Sequence, residues 1–157
     1  MLRQVTIRRG TLGTLDTLKL IDEVGREGSR IRYVHNFILS VPLIQWNDVL
    51  ASRWAYASED TETVRSIAFQ IQNLMKFDKL IGDCDDAAAV AVACACAARL
   101  PYRIVAVRAP EESEFGHVFV EVCRPQQQYD ARGYLRIDPT APLDADYRFW
   151  ERMEYSV

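Results

Sequence analysis

Apolar residues recur every three or four positions between Thr14 and Met75 and then, after Leu100, crowd into short β-branched runs, so the chain reads as helices followed by strands. Leu15, Leu18, Ile21 and Val24 share one helix face behind Thr14, a residue suited to an N-cap, and Gly25 and Gly28 are expected to break that helix. Ser29 suits the cap of a second helix carrying Ile31, Val34, Phe37, Ile38 and Val41, which Pro42 ends. Trp46, Val49, Leu50 and Trp54 predict a third helix over 43–56, and the polar run Ser58-Glu59-Asp60-Thr61-Glu62 predicts a loop or helix start. Ile67, Ile71, Leu74 and Met75 predict a short fourth helix. All four read as scaffold.

The pattern changes at Gly82-Asp83-Cys84-Asp85-Asp86. The stretch from Ala87 to Ala98 contains no charged residue, so a helix there is apolar on every side and belongs at the centre of the fold, ending at Arg99-Leu100-Pro101. Strands are then expected over Arg103–Arg108, His117–Cys123 and Tyr134–Asp138, with loops at Pro110–Gly116 and Arg124–Gly133. Alternation puts His117, Phe119, Glu121 and Cys123 on one face. If the last two strands form an antiparallel hairpin, His117 and Asp138 become neighbours within about two residues of register. The predicted class is α+β, with N-terminal helices, one buried helix and an antiparallel sheet.

The chain has 157 residues, 49% hydrophobic and 26% charged, which suffices for a real core and makes a single domain over 1–157 the expectation. Its 19 Lys+Arg against 22 Asp+Glu give a net charge of -3, leaving no basic excess to hold a nucleic-acid backbone. The Ala-rich helix falls short of the ~20 residues that span a bilayer. Basic residues near the start are followed by no apolar run of the export type. A cytoplasmic protein with neither nucleic-acid nor membrane partners is expected, and Cys84, Cys94, Cys96 and Cys123 read as thiols rather than as a disulfide framework.

Cys84 falls in the first turn of the buried helix, where unpaired backbone N–H groups and the macrodipole favour an anionic sulfur. Asp83, Asp85 and Asp86 oppose that effect by like charge, so a base is still required. Of the two histidines, His117 stands at a strand start with a carboxylate, Asp138, facing it across the hairpin. Cys84, His117 and Asp138 thus make a nucleophile, a general base and the group that orients the base, provided the sheet packs against the start of the Cys helix. Asp138 can equally cap the turn before Pro139, and His35, among Ile31, Val34, Phe37 and Ile38, reads as structural or exposed. Asp83, Asp85 and Asp86 diverge too much on a helix to favour a shared cation, and Asp85 and Asp86 read as stabilisers of the helix start. Cys94 and Cys96 face opposite sides of a helix and read as core thiols. Cys123 lies roughly 20 Å along the strand from His117, out of reach.

At these residues the chain resembles the transglutaminase-like superfamily of papain-like thiol enzymes. The matching pattern is Gly82-Asp83-Cys84 at a helix start, Gly116-His117-Val118-Phe119-Val120-Glu121-Val122 on a strand, and Asp138-Pro139-Thr140 at a strand end, in that order, over roughly 58–141. The Asp-rich Cys motif and small size are most similar to stand-alone members of bacteria and their phages. The resemblance implies a Cys84–His117–Asp138 triad on a papain-like α+β core that needs no metal or organic cofactor. Asp85 and Phe119 stand where cross-linking members commonly carry an aromatic residue and a Trp, which points away from amine-acceptor chemistry and toward water. The Cys84 backbone N–H is a candidate oxyanion donor, with Trp54, Tyr56 and Gln70 as candidates for a second.

The functional expectation is a cysteine-dependent acyl-transfer enzyme acting on a protein or peptide, a peptidase or amidase first and a cross-linking transglutaminase second. The rival from another class is a non-catalytic binding or assembly module of the same fold, such as a phage-associated one, in which the Asp residues keep the thiol protonated. Oligomeric state is open, as is the place of Tyr147, Phe149, Trp150, Met153 and Tyr155, which suit core packing or a partner.

Overall fold

The computed structural model describes residues 4–8, 13–58, 61–124 and 133–156. The chain opens with β1 (Gln4–Arg8), which pairs antiparallel with β3 (Thr61–Arg65), Gln4 opposite Arg65. The polar run expected as a loop or helix start therefore leads into a strand, where the β-branched Thr61, Thr63 and Val64 suit extended backbone.

The first helix, α1 (Thr14–Gly28), is capped by Gly13 rather than Thr14 and runs straight through Gly25. The glycines punctuate packing rather than sequence. A Cβ at Gly25 would lie 2.6 Å from Val92 Cβ and 2.7 Å from the Ala89 carbonyl oxygen, so the bare backbone lets α1 lie directly on the Ala-rich helix. That approach offsets the ~1 kcal/mol that Gly costs inside a helix.

After α2 (Arg32–Ser40) and a 3₁₀ turn over Leu43–Gln45, α3 covers only Trp46–Arg53. The expected helix over 43–56 ends early because the chain extends into β2 (Trp54–Tyr56), parallel to β4 (Leu80–Gly82). The Gly82 carbonyl accepts hydrogen bonds from Trp54 Nε1 (3.0 Å) and the Ala57 N–H (3.1 Å). Between these strands lies α4 (Ile67–Phe77), whose cap Ser66 accepts a hydrogen bond from the Phe69 N–H at 3.1 Å.

The central helix, α5 (Cys84–Ala98), is buried from Asp85 to Ala95 and ends at Arg99, which takes a left-handed conformation (φ 56°). It packs between α1 and a four-stranded antiparallel sheet of β5 (Tyr102–Arg108), β6 (His117–Cys123), β7 (Tyr134–Ile137) and β8 (Glu151–Tyr155), in the order β7-β6-β5-β8. One sheet face, with Ile104, Ala106, Val118, Val120 and Val122, joins the main core with α5. The other face carries Val105, Val107 and Phe119 and is covered by Tyr147 and Trp150. The expected α+β architecture is the observed one. Tyr147, Trp150, Met153 and Tyr155 all pack inward, whereas Phe149 is 85% exposed. No helix among the described residues is long and apolar enough to cross a membrane. Most of the expected Arg124–Gly133 loop, 125–132, lies outside the described residues.

Candidate active site

The site begins with a tight turn. Gly82 has φ 135°, a conformation that L side chains rarely adopt, and a Cβ there would meet Asp86 Oδ2 at 2.0 Å. The turn is locked by a reciprocal cap: Asp83 Oδ1 accepts from the Asp85 N–H (3.1 Å) and the Asp86 N–H (3.5 Å), and Asp86 Oδ2 accepts from the Asp83 N–H (3.2 Å). Asp86 reaches further, accepting from the Arg65 N–H (2.7 Å) and Arg65 Nη1 (2.9 Å). Asp83 and Asp86 therefore tie the start of α5 to its own backbone and to β3, as the helix-stabilising reading of Asp86 expects.

This cap holds Cys84 as the first residue of α5. No described hydrogen bond engages the Cys84 backbone N–H, one of the unpaired donors at the helix start. The thiol lies 3.9 Å from Asp85 Oδ1 as a weak donor. Burial pushes the thiol well above its ordinary pKa, Asp85, Asp83 and Asp138 push it the same way, and the Val118 N–H opposes them.

Cys84 leads α5, which packs against β6, the strand that His117 opens. The β6–β7 register pairs Val120 with Ile137 and Cys123 with Tyr134, and its continuation sets Asp138 opposite Phe119, two residues from His117, the offset the sequence predicts. His117 Nε2 lies 2.8 Å from Asp138 Oδ1. With Nε2 committed to the carboxylate, Nδ1 is the ring nitrogen left to exchange a proton. The structure thus joins His117 to Asp138 directly and packs the helix that Cys84 opens against the same strand, without a hydrogen bond from the thiol to the ring; such contacts are commonly long in free enzymes.

Other residues join the site that the sequence did not assign to it. Asn47 Oδ1, on α3, accepts the Asp138 N–H at 2.6 Å and so fixes the end of β7. Tyr147 stacks on Phe119 (centroids 5.6 Å apart, 16° between planes) and lies 5.5 Å from the His117 ring. Trp150 meets Tyr147 edge-on at 4.9 Å. Burial, helped by Asp138 and Cys84, raises the Tyr147 phenol. An aromatic roof over the histidine was legible only as an unassigned cluster. Two of the oxyanion candidates are spent elsewhere: Trp54 Nε1 on Gly82, and Gln70 on both backbone groups of Ile81 (2.6 and 3.0 Å). Cys94 is buried and its thiol is pushed up to about 12. Cys96 donates to the Tyr102 hydroxyl at 3.5 Å, and neither approaches the site, as expected. Glu121, of the His-strand motif, accepts hydrogen bonds from Arg103 (2.7 Å) and Arg152, cross-linking β5, β6 and β8.

Comparison with known proteins gives one solved structure to report, the periplasmic domain of TgpA from Pseudomonas aeruginosa, determined bound to ethylmercury. It is 20% identical, with a TM-score of 0.37 over 85% of this chain, and this chain spans 46% of that one, under half its length. No protein-family model and no curated protein matches the chain.

Proposed function

We propose that this protein is a transglutaminase-like cysteine acyltransferase that hydrolyses amide bonds in a protein or peptide, with Cys84 as nucleophile, His117 as base and Asp138 as the group that orients the base. The observation that carries this reading is the 2.8 Å contact between His117 Nε2 and Asp138 Oδ1, on neighbouring strands of which β6 packs against the Cys84 helix. His117 Nδ1 takes the thiol's proton as the sulfur attacks the carbonyl carbon. The oxyanion is met by the Cys84 N–H at the helix start. His117 then gives the proton to the leaving amine, and water, deprotonated by the same nitrogen, releases the acid and restores the thiol. Asp138 keeps the proton on Nε2 and stabilises the imidazolium while it exists.

The test is to incubate a mixture of unrelated peptides with the wild-type protein and with Cys84→Ala, and to read the products by mass spectrometry. New cleavage products from the wild type alone are expected. Identical products from both would overturn the assignment. A second reading, a non-catalytic binding or assembly module of the same fold, is favoured by the setting of Cys84: burial and the neighbouring Asp83 and Asp85 push its thiol upward. It predicts no wild-type products at all.

A further inference from the structure

We infer that Asn47 is a positioning residue of the reaction, holding the backbone from which Asp138 reaches His117. The inference rests on the acyl-transfer reading of Cys84, His117 and Asp138. β7 is an edge strand of its sheet, so N–H groups on its outer side have no strand to bond. The Asp138 N–H, just past the end of β7, donates to a side chain instead, Asn47 Oδ1 at 2.6 Å, across 91 residues of sequence. That acceptor is firmly mounted. Asn47 lies in the first turn of α3 beside Trp46, which is 2% exposed and whose indole Nε1 donates to the Val41 carbonyl at 2.9 Å. Leu50, one turn on, is buried as well.

The Asp138 backbone is held on its other side by its own turn. Its carbonyl accepts the Ala141 N–H at 3.3 Å, and Pro139 after it favours extended backbone. The carboxylate is held far less. Oδ1 meets His117 Nε2 at 2.8 Å, whereas Oδ2 is buried with no hydrogen-bond partner among the described residues and only an ion pair to Arg136 Nε at 3.9 Å. The aim of the carboxylate is therefore set chiefly by where the backbone puts its Cβ, and Asn47 is the anchor that comes from outside the Asp138–Ala141 turn. A carboxylate that drifts from Nε2 loosens both the ring and the tautomer that leaves Nδ1 free to take a proton.

The test is a double-mutant cycle on the acetylation of Cys84 by 4-nitrophenyl acetate, followed by mass spectrometry. The sulfur bonds the acetyl carbon, the ester C–O bond breaks, nitrophenolate leaves, and the thiol proton passes to His117. A misplacement of about 1 Å costs up to about a hundredfold, so the loss of one anchor of Asp138 in Asn47→Ala is expected to lower the rate about tenfold. Ala is the best helix former, so α3 is retained. Asn47→Leu, which fills the same space without an acceptor, should fall alike, and Asn47→Asp, which keeps an oxygen in place, should retain the rate. In an Asp138→Asn background Asn47→Ala should cost nothing further, because its effect passes through the carboxylate. Four results each overturn the inference and leave the acyl-transfer reading standing: a rate unchanged in Asn47→Ala, a loss in Asn47→Ala that Asn47→Leu does not share, a loss in Asn47→Asp as large as in Asn47→Ala, or the same tenfold loss on top of Asp138→Asn. Wild-type acetylation of Cys84 that is indifferent to His117→Ala overturns that reading and the inference with it.

Discussion

Replacing Asp86 by Ala strikes the turn that presents Cys84. Its side chain is fully buried, and its two oxygens accept the Arg65 N–H, Arg65 Nη1 and the Asp83 N–H at 2.7, 2.9 and 3.2 Å. Arg65, whose side chain is 9% exposed, would lose this buried carboxylate. Breaking such a pair from one side costs about 3–5 kcal/mol, which for a chain of this size lowers Tm by roughly 10 °C. The assay is urea unfolding followed by circular dichroism, with the midpoint falling and the slope unchanged. Asp86→Leu combined with Arg65→Met recovers most of the loss, since neither partner of the pair is then left alone. A loss below about 1 kcal/mol in Asp86→Ala would refute this account of the turn.

Burial pushes the Asp86 carboxyl above its ordinary range, against the Arg65 charge and the hydrogen bonds. A raised folded pKa means that ionisation costs stability: the contribution is whole below the unfolded value of about 4 and is lost as pH rises through the folded one. The stability difference between wild type and Asp86→Asn should narrow over that interval; a difference independent of pH contradicts it. The raised Cys84 thiol predicts slow iodoacetamide alkylation through neutral pH, rising only in alkali, and earlier in Asp85→Asn. A midpoint below neutrality would mean a preformed thiolate–imidazolium pair instead. Gly25→Ala should destabilise by about 1–3 kcal/mol through overpacking against Val92 and the Ala89 carbonyl, measured by denaturant midpoint; a stabilisation would show that α1 can shift away from α5. Asp138→Asn should lower Cys84 acylation by about a hundredfold or more with the fold intact, because the wrong tautomer is then favoured; an unchanged rate removes Asp138 from the mechanism.

The site was legible where local chemistry and chain geometry agree. A Cys at the first turn of a charge-free Ala run, and a His and an Asp at the two ends of a hairpin, follow from helix polarity and strand register alone. Elements built by partners distant in sequence were not. Trp54–Tyr56 reads as helix because Trp46, Leu50 and Trp54 keep a period of four, yet it pairs with Leu80–Gly82, a strand too short to announce itself. Glu151–Tyr155 closes the sheet against β5 with little alternation in its sequence. Gly25 looked like a breaker because propensity carries no information about a neighbouring helix 2.6 Å from a missing Cβ. Asn47 and Tyr147 reach the histidine's surroundings from α3 and from the β7–β8 connection, contacts that only the tertiary fold creates.

Cys84, His117 and Asp138 acting as one acyl-transfer unit is tested most directly by 4-nitrophenyl acetate, an activated acyl donor that needs no specificity pocket. Nitrophenolate release is followed together with the acetyl group on each cysteine peptide, in wild type and in His117→Ala. The expected result is acetylation of Cys84 ahead of Cys94, Cys96 and Cys123, lost when His117 is removed. Equal acetylation of all four, or a Cys84 rate indifferent to His117, would contradict it.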